Sequence, residues 1–262
     1  MAYPSVDAEN GGFYDGALTD TFTLNLPSGI AVGDLILMLF SGSGNILGVP
    51  TASMVGWTEL FQQQVGGADA DAIGLAAFYK VATAPMGATA TATTDITCRA
   101  AHTSLRISHW TAIECGVAAT GDSENPDPPN LAPSWGAVYN LWLAVCGTAG
   151  WGMSEFPSLY TDLRTDRTTG TYGATHSARR ELTAASENPG VFTIESGVSK
   201  YWVANTIAIA GSNQSQVTGD QTITRSKPSL ELIRNLEMQC DGRFYIDKSG
   251  NAVYESRFAR HG

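Results

Sequence analysis

Charge is scarce in this chain. Only 15% of its 262 residues are Asp, Glu, Lys or Arg, against roughly a quarter in ordinary soluble domains. Lysine is scarcer still: Lys80, Lys200, Lys227 and Lys248 are the whole complement. A nucleic-acid groove neutralises phosphates with clustered cations. Here the net charge is −10 and Arg179-Arg180 is the one adjacent basic pair, so neither nucleic acid nor an anionic membrane surface is an expected partner. Long apolar runs are also missing. The run LILMLF, Leu35 to Phe40, is far short of the ~20 residues that a membrane-spanning helix needs. The opening MAYPSVDAENGG lacks the basic start and apolar stretch of a secretory signal, so the chain is expected to stay soluble where it is made. Cys98, Cys115, Cys146 and Cys240 form no C-x-x-C pair, which argues against zinc ribbons and redox pairs. Cys98 and Cys146 lie in apolar segments and read as buried free thiols.

Helical periodicity is absent before residue 226. Gly, Ala, Thr and Ser fill short segments broken by Gly and Pro. TFTLNL alternates, with Phe22, Leu24 and Leu26 on one face. GDLILMLF is continuous and reads as a central strand covered on both faces. GWTELFQQQ, IGLAAFYKVAT, ATATATT, SLRISHWTAIE, AVYNLWLAVCGTAG, VFTIES and YWVANTIAIAG continue the series. Parallel sheets would need crossover helices, and no repeat marks a propeller or solenoid. The expected fold is mainly β, an antiparallel β-sandwich or jelly roll over residues 20–211. Residues 1–19 read as a polar arm, and 150–190 as irregular.

The polar stretch GSNQSQVTGDQT marks a linker over 212–225. After it, 226–262 reads as a small module. Ser226 and Pro228 suit a helix start, and Leu230, Ile233, Leu236 and Cys240 recur at helical spacing. Asp241-Gly242 stops the helix. RFYID and NAVYES then pair as a hairpin carrying Phe244, Tyr245 and Tyr254. A helix and hairpin of ~40 residues without disulfide or metal cannot offset its ordering entropy alone. It must dock on its own sandwich, on a copy of the chain or on another protein, and an assembly surface is the favoured reading.

Catalytic patterns are thin. His102 and His109, seven residues apart on one strand, would point to opposite faces, which argues against a shared metal. There is no G-x-S-x-G elbow, and the GSG at Gly42–Gly44 reads as a turn. Carboxylates Asp69, Asp71, Asp122, Glu124, Asp127, Asp162 and Asp166 lie in loop-like stretches. No two stand out as a glycosidase pair, and DADA and DSENPD miss the calcium-loop spacing. No catalytic, metal or cofactor site is expected. Aromatics are more pointed. Trp135, Trp151, Tyr160 and Tyr172 sit beside polar residues in loop-like regions, where they could stack on sugar rings or cover sheet ends.

The motifs LPSGIAVGDLILMLFSGSG, GWTEL, GLAAFYKVATA, LRISHW and PGVFTIE…YWVANTIAIAG occur in that order. Together they resemble a β-rich domain of structural proteins in tailed bacteriophages, matched at Gly33-Asp34, Gly56-Trp57-Thr58 and Tyr79–Thr83. GRFYIDKSGNAVYESR is similar to hairpins of phage minor tail proteins. The resemblance implies a non-enzymatic virion component, such as a minor tail, fibre-like or head-decorating protein. It would be made in the bacterial cytoplasm, associate with copies of itself and other virion proteins, and possess no catalytic residues to carry over. Trp57 and Tyr79 read as core positions. A lectin-like module for host surface glycans is the alternative, and a polysaccharide depolymerase a third.

Overall fold

A computed structural model describes residues 2–45, 47–67, 71–168, 172–195, 199–211, 242–246 and 252–256. The chain divides into two compact units, Met1–Gln214 and Ser215–Gly262. In the first unit, six strands from the N-terminal half form one sheet: β1 (Ser5–Asn25), β2 (Leu35–Ser43), β3 (Ala52–Ser53), β4 (Thr58–Val65), β5 (Ile73–Val81) and β6 (Thr89–Ser108). Their order is β1-β6-β2-β5-β4, with β3 beside β6. The second sheet follows from β7 (Trp110–Cys115), β8 (Ala119–Ser123), β9 (Val138–Thr148), β11 (Thr161–Arg167), β12 (Ala174–Ala184) and β14 (Lys200–Gly211). Its order is β11-β12-β9-β14-β7, with β8 also on β14. Short strands β10 (Met153–Glu155) and β13 (Thr193–Ile194) pair with each other. Every strand pair among the described residues is antiparallel.

The two sheets share a sandwich core. Leu35, Leu37 and Leu39 of β2 meet Leu141, Leu143 and Val145 of β9 and Val203, Ile207 and Ile209 of β14. Ile36, Met38 and Phe40 point the other way, into a second cluster with Phe22, Leu24 and Ala92. This explains why β2 is buried along its whole length and why its sequence does not alternate. A third cluster, on the outer face of the second sheet, packs Trp142, Ala144, Trp202 and Ala204 under Leu131, Tyr160 and Phe192.

The second cluster exists because β1 and β6 form one long ribbon that bends back over the first sheet. The arm expected over 1–19 is instead the first part of β1, paired with β6 from Ser5↔Ser108 onward. The register shifts between Tyr14, Thr19 and Thr21 mark the bend. Asn10 Nδ2 donates to the Leu26 carbonyl at 3.0 Å, and Asn25 Nδ2 to that of Gly11 at 3.0 Å, so residues 10–11 and 25–26 lie side by side. The glycines of AENGG are needed here. A Cβ on Gly11 would stand 2.4 Å from Asp166 Oδ2, and one on Gly12 3.0 Å from His102 Cε1. Each glycine admits a neighbour on a different face of the ribbon.

SLRISHWTAIE is not one strand. The chain turns at His109, in the left-handed region at φ 56°, and crosses from the first sheet to the second. Leu105 and Ile107 before the turn and Trp110 and Ile113 after it all pack on the sandwich core, so the alternation breaks at the turn: in one continuous strand Trp110 would face away from Leu105 and Ile107. Residues 150–190 are likewise mostly strand rather than irregular: β11 and the 11-residue β12. Gly42 and Ser43 close β2 rather than turn.

In the second unit, β15 (Gly242–Ile246) and β16 (Ala252–Ser256) form a two-stranded antiparallel sheet with Phe244 opposite Tyr254 and Tyr245 opposite Val253. The expected linker 212–225 and helix, with Leu230, Ile233 and Leu236, lie outside the described residues.

Candidate functional site

A group of ionisable side chains lies where β11 and β12 meet β1 and β6. Alternation along TDLRTDR sends Arg164 and Asp166 to one face of β11. Arg164 Nε donates to Asp166 Oδ2 at 2.6 Å, and a second guanidinium nitrogen reaches Oδ1 at 3.1 Å, a bidentate pair. Glu9 of β1 sits between two arginines, 3.3 Å from Arg164 and 3.6 Å from Arg179. Arg179 Nε also donates to Asp162 at 3.0 Å. Asp166 accepts from the Thr103 hydroxyl at 2.6 Å, and Thr103 Oγ lies 2.9 Å from Thr175 Oγ. Asp166 therefore ties β11 to β6, across from Gly11.

A cavity of about 190 Å³ opens beside this seam, lined by Val6, Leu141, Asp162, Arg179, Arg180 and Glu181 among others. Its arginines are already matched, since Arg180 donates to Glu187 at 2.9 Å. The hydrogen bond from Arg179 holds the Asp162 carboxyl below its ordinary range, the opposite of what a general acid needs. Glu195 is held low in the same way by Arg167. Electrostatically the seam is a set of closed pairs.

Two histidines, His102 and His176, are buried. Thr148 Oγ donates to the Trp151 carbonyl, so it accepts from His176 Nε2 at 3.1 Å. His176 Nδ1 then accepts from Thr165 at 3.0 Å. Burial pushes His176 down to about 3. His102 Nε2 accepts the Asn25 amide at 2.9 Å, so its proton sits on Nδ1, a buried atom with no partner. Burial takes His102 down to about 4. Its side chain lies on the Gly12 side of the ribbon and Asp166 on the Gly11 side, so the two form no acid–base dyad. His109 is exposed and within 3.0 Å of the Ser108 hydroxyl. Cys98, Cys115 and Cys146 are free thiols. Desolvation raises Cys98 to about 12 and Cys115 to about 11, which denies either a nucleophilic thiolate at neutral pH.

The four aromatics singled out from sequence are not brought together on a surface. Trp135 and Tyr160 belong to the cluster outside the second sheet. Trp135 Nε1 donates to Asn140 at 2.9 Å, and Tyr160 is buried beside Glu187. Trp151 lies 5.8 Å beneath the Lys200 ammonium, while Tyr172 carries the Arg99 guanidinium at 3.9 Å. Asp71, in the DADA stretch, meets Lys200 at 3.0 Å. Trp57 is only half-buried, although the sequence pattern assigned it to the core. Compared with known proteins, the chain matches no family model, no curated protein and no solved structure.

Proposed function

We propose that this chain is a non-enzymatic structural protein that assembles in multiple copies, with the first unit as scaffold and the second as the assembly device. The observation that carries the reading is the division of the chain. The second unit is compact by itself, yet its described part is a hairpin of two five-residue strands. A lone two-stranded hairpin is marginal in water and gains stability by packing on more strands or a helix. Sister copies supply such a surface at the high local concentration that multivalent assembly provides. The burial of His102, His176 and the Cys98 and Cys146 thiols, together with the pairing of Asp162, Asp166 and Glu195 with arginines, supports a scaffold role. The motif resemblance extends the proposal to a tailed-phage particle, as a minor tail, fibre-like or head-decorating component made in the bacterial cytoplasm, and to a helix preceding the hairpin. Light scattering on the full chain tests the assembly. The expected mass is a multiple of 27.7 kDa, falling to one copy in Tyr254→Asp with the melting of the sandwich unchanged. A monomer at all concentrations would sink the proposal.

A further inference from the structure

Where the folded-back ribbon ends, a groove of about 350 Å³ opens on the outer side of the first sheet, within the roughly 300–1,000 Å³ of small-ligand sites. Trp57 and Met86 line it, and both also pack on the Phe22–Met38–Phe78 cluster, so the core braces the groove wall. Thr89, Thr91 and Thr93 line the ribbon side. There β3 covers the free edge of β6 only at Thr93 and Thr94, so among the described residues no strand takes up the backbone of 89–92 on that side. Lys80 completes the lining, and an added Cβ on Gly56 would stand 3.6 Å from its ammonium.

Lys80 is the distinctive group. Arg106, Arg164, Arg167, Arg179, Arg180 and Lys200 each meet a carboxylate. Arg99 stacks on Tyr172 and donates to the carbonyls of Asp15 and Gly16. Among the described basic side chains, Lys80 alone has no such partner. Glu59, on the neighbouring strand, accepts from Gln62 instead at 3.3 Å, and no acidic residue lines the groove. A free cation beside a braced indole, hydroxyls and open backbone groups is a small constellation aimed outward, on a chain whose net charge is −10.

We propose that this groove binds a carboxylate-bearing pyranose of a saccharide chain, with the sugar ring stacked on Trp57 and its carboxylate paired with Lys80. The indole face takes the C–H face of the ring. The threonine hydroxyls and the free β6 edge take the ring hydroxyls. The ammonium makes a charge-assisted hydrogen bond to the carboxylate. One cation matches one negative charge per sugar. A phosphate-rich ligand would call for several cations, and an apolar ligand would leave the ammonium and hydroxyls unmatched.

The test is calorimetric titration of the full chain at low salt with trigalacturonate and with its methyl-esterified counterpart, which keeps the rings and loses the charge. The wild type is expected to bind the charged trimer about tenfold more tightly than the ester. Lys80→Gln should erase that preference and leave ester binding unchanged. Trp57→Ala should weaken both ligands, and Lys200→Gln, at a cation already paired, should alter neither. No binding to the wild type, or a charge preference that survives Lys80→Gln, overturns the proposal. Because Trp57 also touches the core, Lys80→Gln is the deciding variant if the tryptophan variant fails to fold. The inference does not depend on assembly: a monomeric full chain would sink the assembly reading and leave this titration as informative as before.

Discussion

The two sheets of the sandwich are joined in two chemically different ways. Through the middle, Leu37, Leu39 and Leu105 of one sheet meet Leu143, Val145 and Ile207 of the other, all buried and all apolar. Towards β11, the contact turns polar. Thr103 faces Thr175, Ser41 donates to the Ala174 carbonyl at 2.9 Å, and Asp166 holds Thr103 and Arg164 together. Apolar burial is non-directional and scales with area, so the middle supplies the adhesion between sheets and tolerates small shifts. Hydrogen bonds demand partners at set distances and angles. The seam therefore adds little net energy per bond but fixes where β11 and β1 lie relative to β6. The cavity beside it is walled in part by these same structural pairs.

That contrast can be broken most strongly at Leu143, 1% exposed in the sandwich core. Leu143→Ala is expected to cost about 4 kcal/mol in urea unfolding, with an unchanged slope. A loss near zero would mean that the middle is not the source of adhesion. Acid should act next, on the polar groups alone. His102 lies at about 4 in the folded chain against its ordinary 6.5, so the unfolded chain takes up the proton first. The stabilisation is complete above pH 6.5 and is lost as the pH falls towards 4, by about 3 kcal/mol. His176 acts in the same direction. Thermal melts between pH 7 and pH 4 should show the decline, shallower in His102→Gln, and parallel profiles for the two chains would refute it.

The seam itself is sharpened by Asp166→Ala, which removes the carboxylate acceptor of Thr103, leaves that hydroxyl only Thr175, and leaves Arg164 with Glu9. A loss of about 2 kcal/mol is expected by denaturant titration. Thr103→Val with Thr175→Val removes both partners of a hydroxyl pair and should cost less. If the double change costs more, the threonines and not the carboxylate organise the seam. The smallest effect is expected at Gly11. Its added Cβ would press on the Asp166 carboxylate, and tilting that group while keeping Arg164 costs about 1 kcal/mol. Gly16→Ala meets nothing within 4 Å and serves as the control in the same melts. Equal behaviour of the two alanines would show that the ribbon does not close tightly on β11.

Much of the sandwich was legible because its signal is local. The unbroken LILMLF announced a strand covered on both sides, and YWVANTIAIAG read as a strand; within it Val203, Ile207 and Ile209 join the sandwich core while Trp202 and Ala208 join the outer cluster. Where polar side chains do structural duty, the same reading failed. The β11 and β12 stretch looked irregular since its pairing relies on Arg164, Asp166 and Thr175 rather than on apolar residues. AENGG looked like an arm since glycine signals flexibility until a neighbour is pressed against it. The chosen aromatics misled for a related reason. Trp135 and Tyr160 stand among polar residues in sequence, yet the hydrogen bonds of Trp135 to Asn140 and Tyr160 to Glu187 let them pack inward.

By itself, the sequence determined a β-rich chain of antiparallel strands and free thiols at Cys98 and Cys146, because composition, alternation and breakers act over a few residues. Only the tertiary structure decided that β1 and β6 bend back as one ribbon, that the chain changes sheets at His109, and that Lys80 is left without a counter-charge beside a half-buried Trp57. Those outcomes depend on which distant side chains meet, and a contact between residues far apart in the chain leaves no periodic trace in either segment.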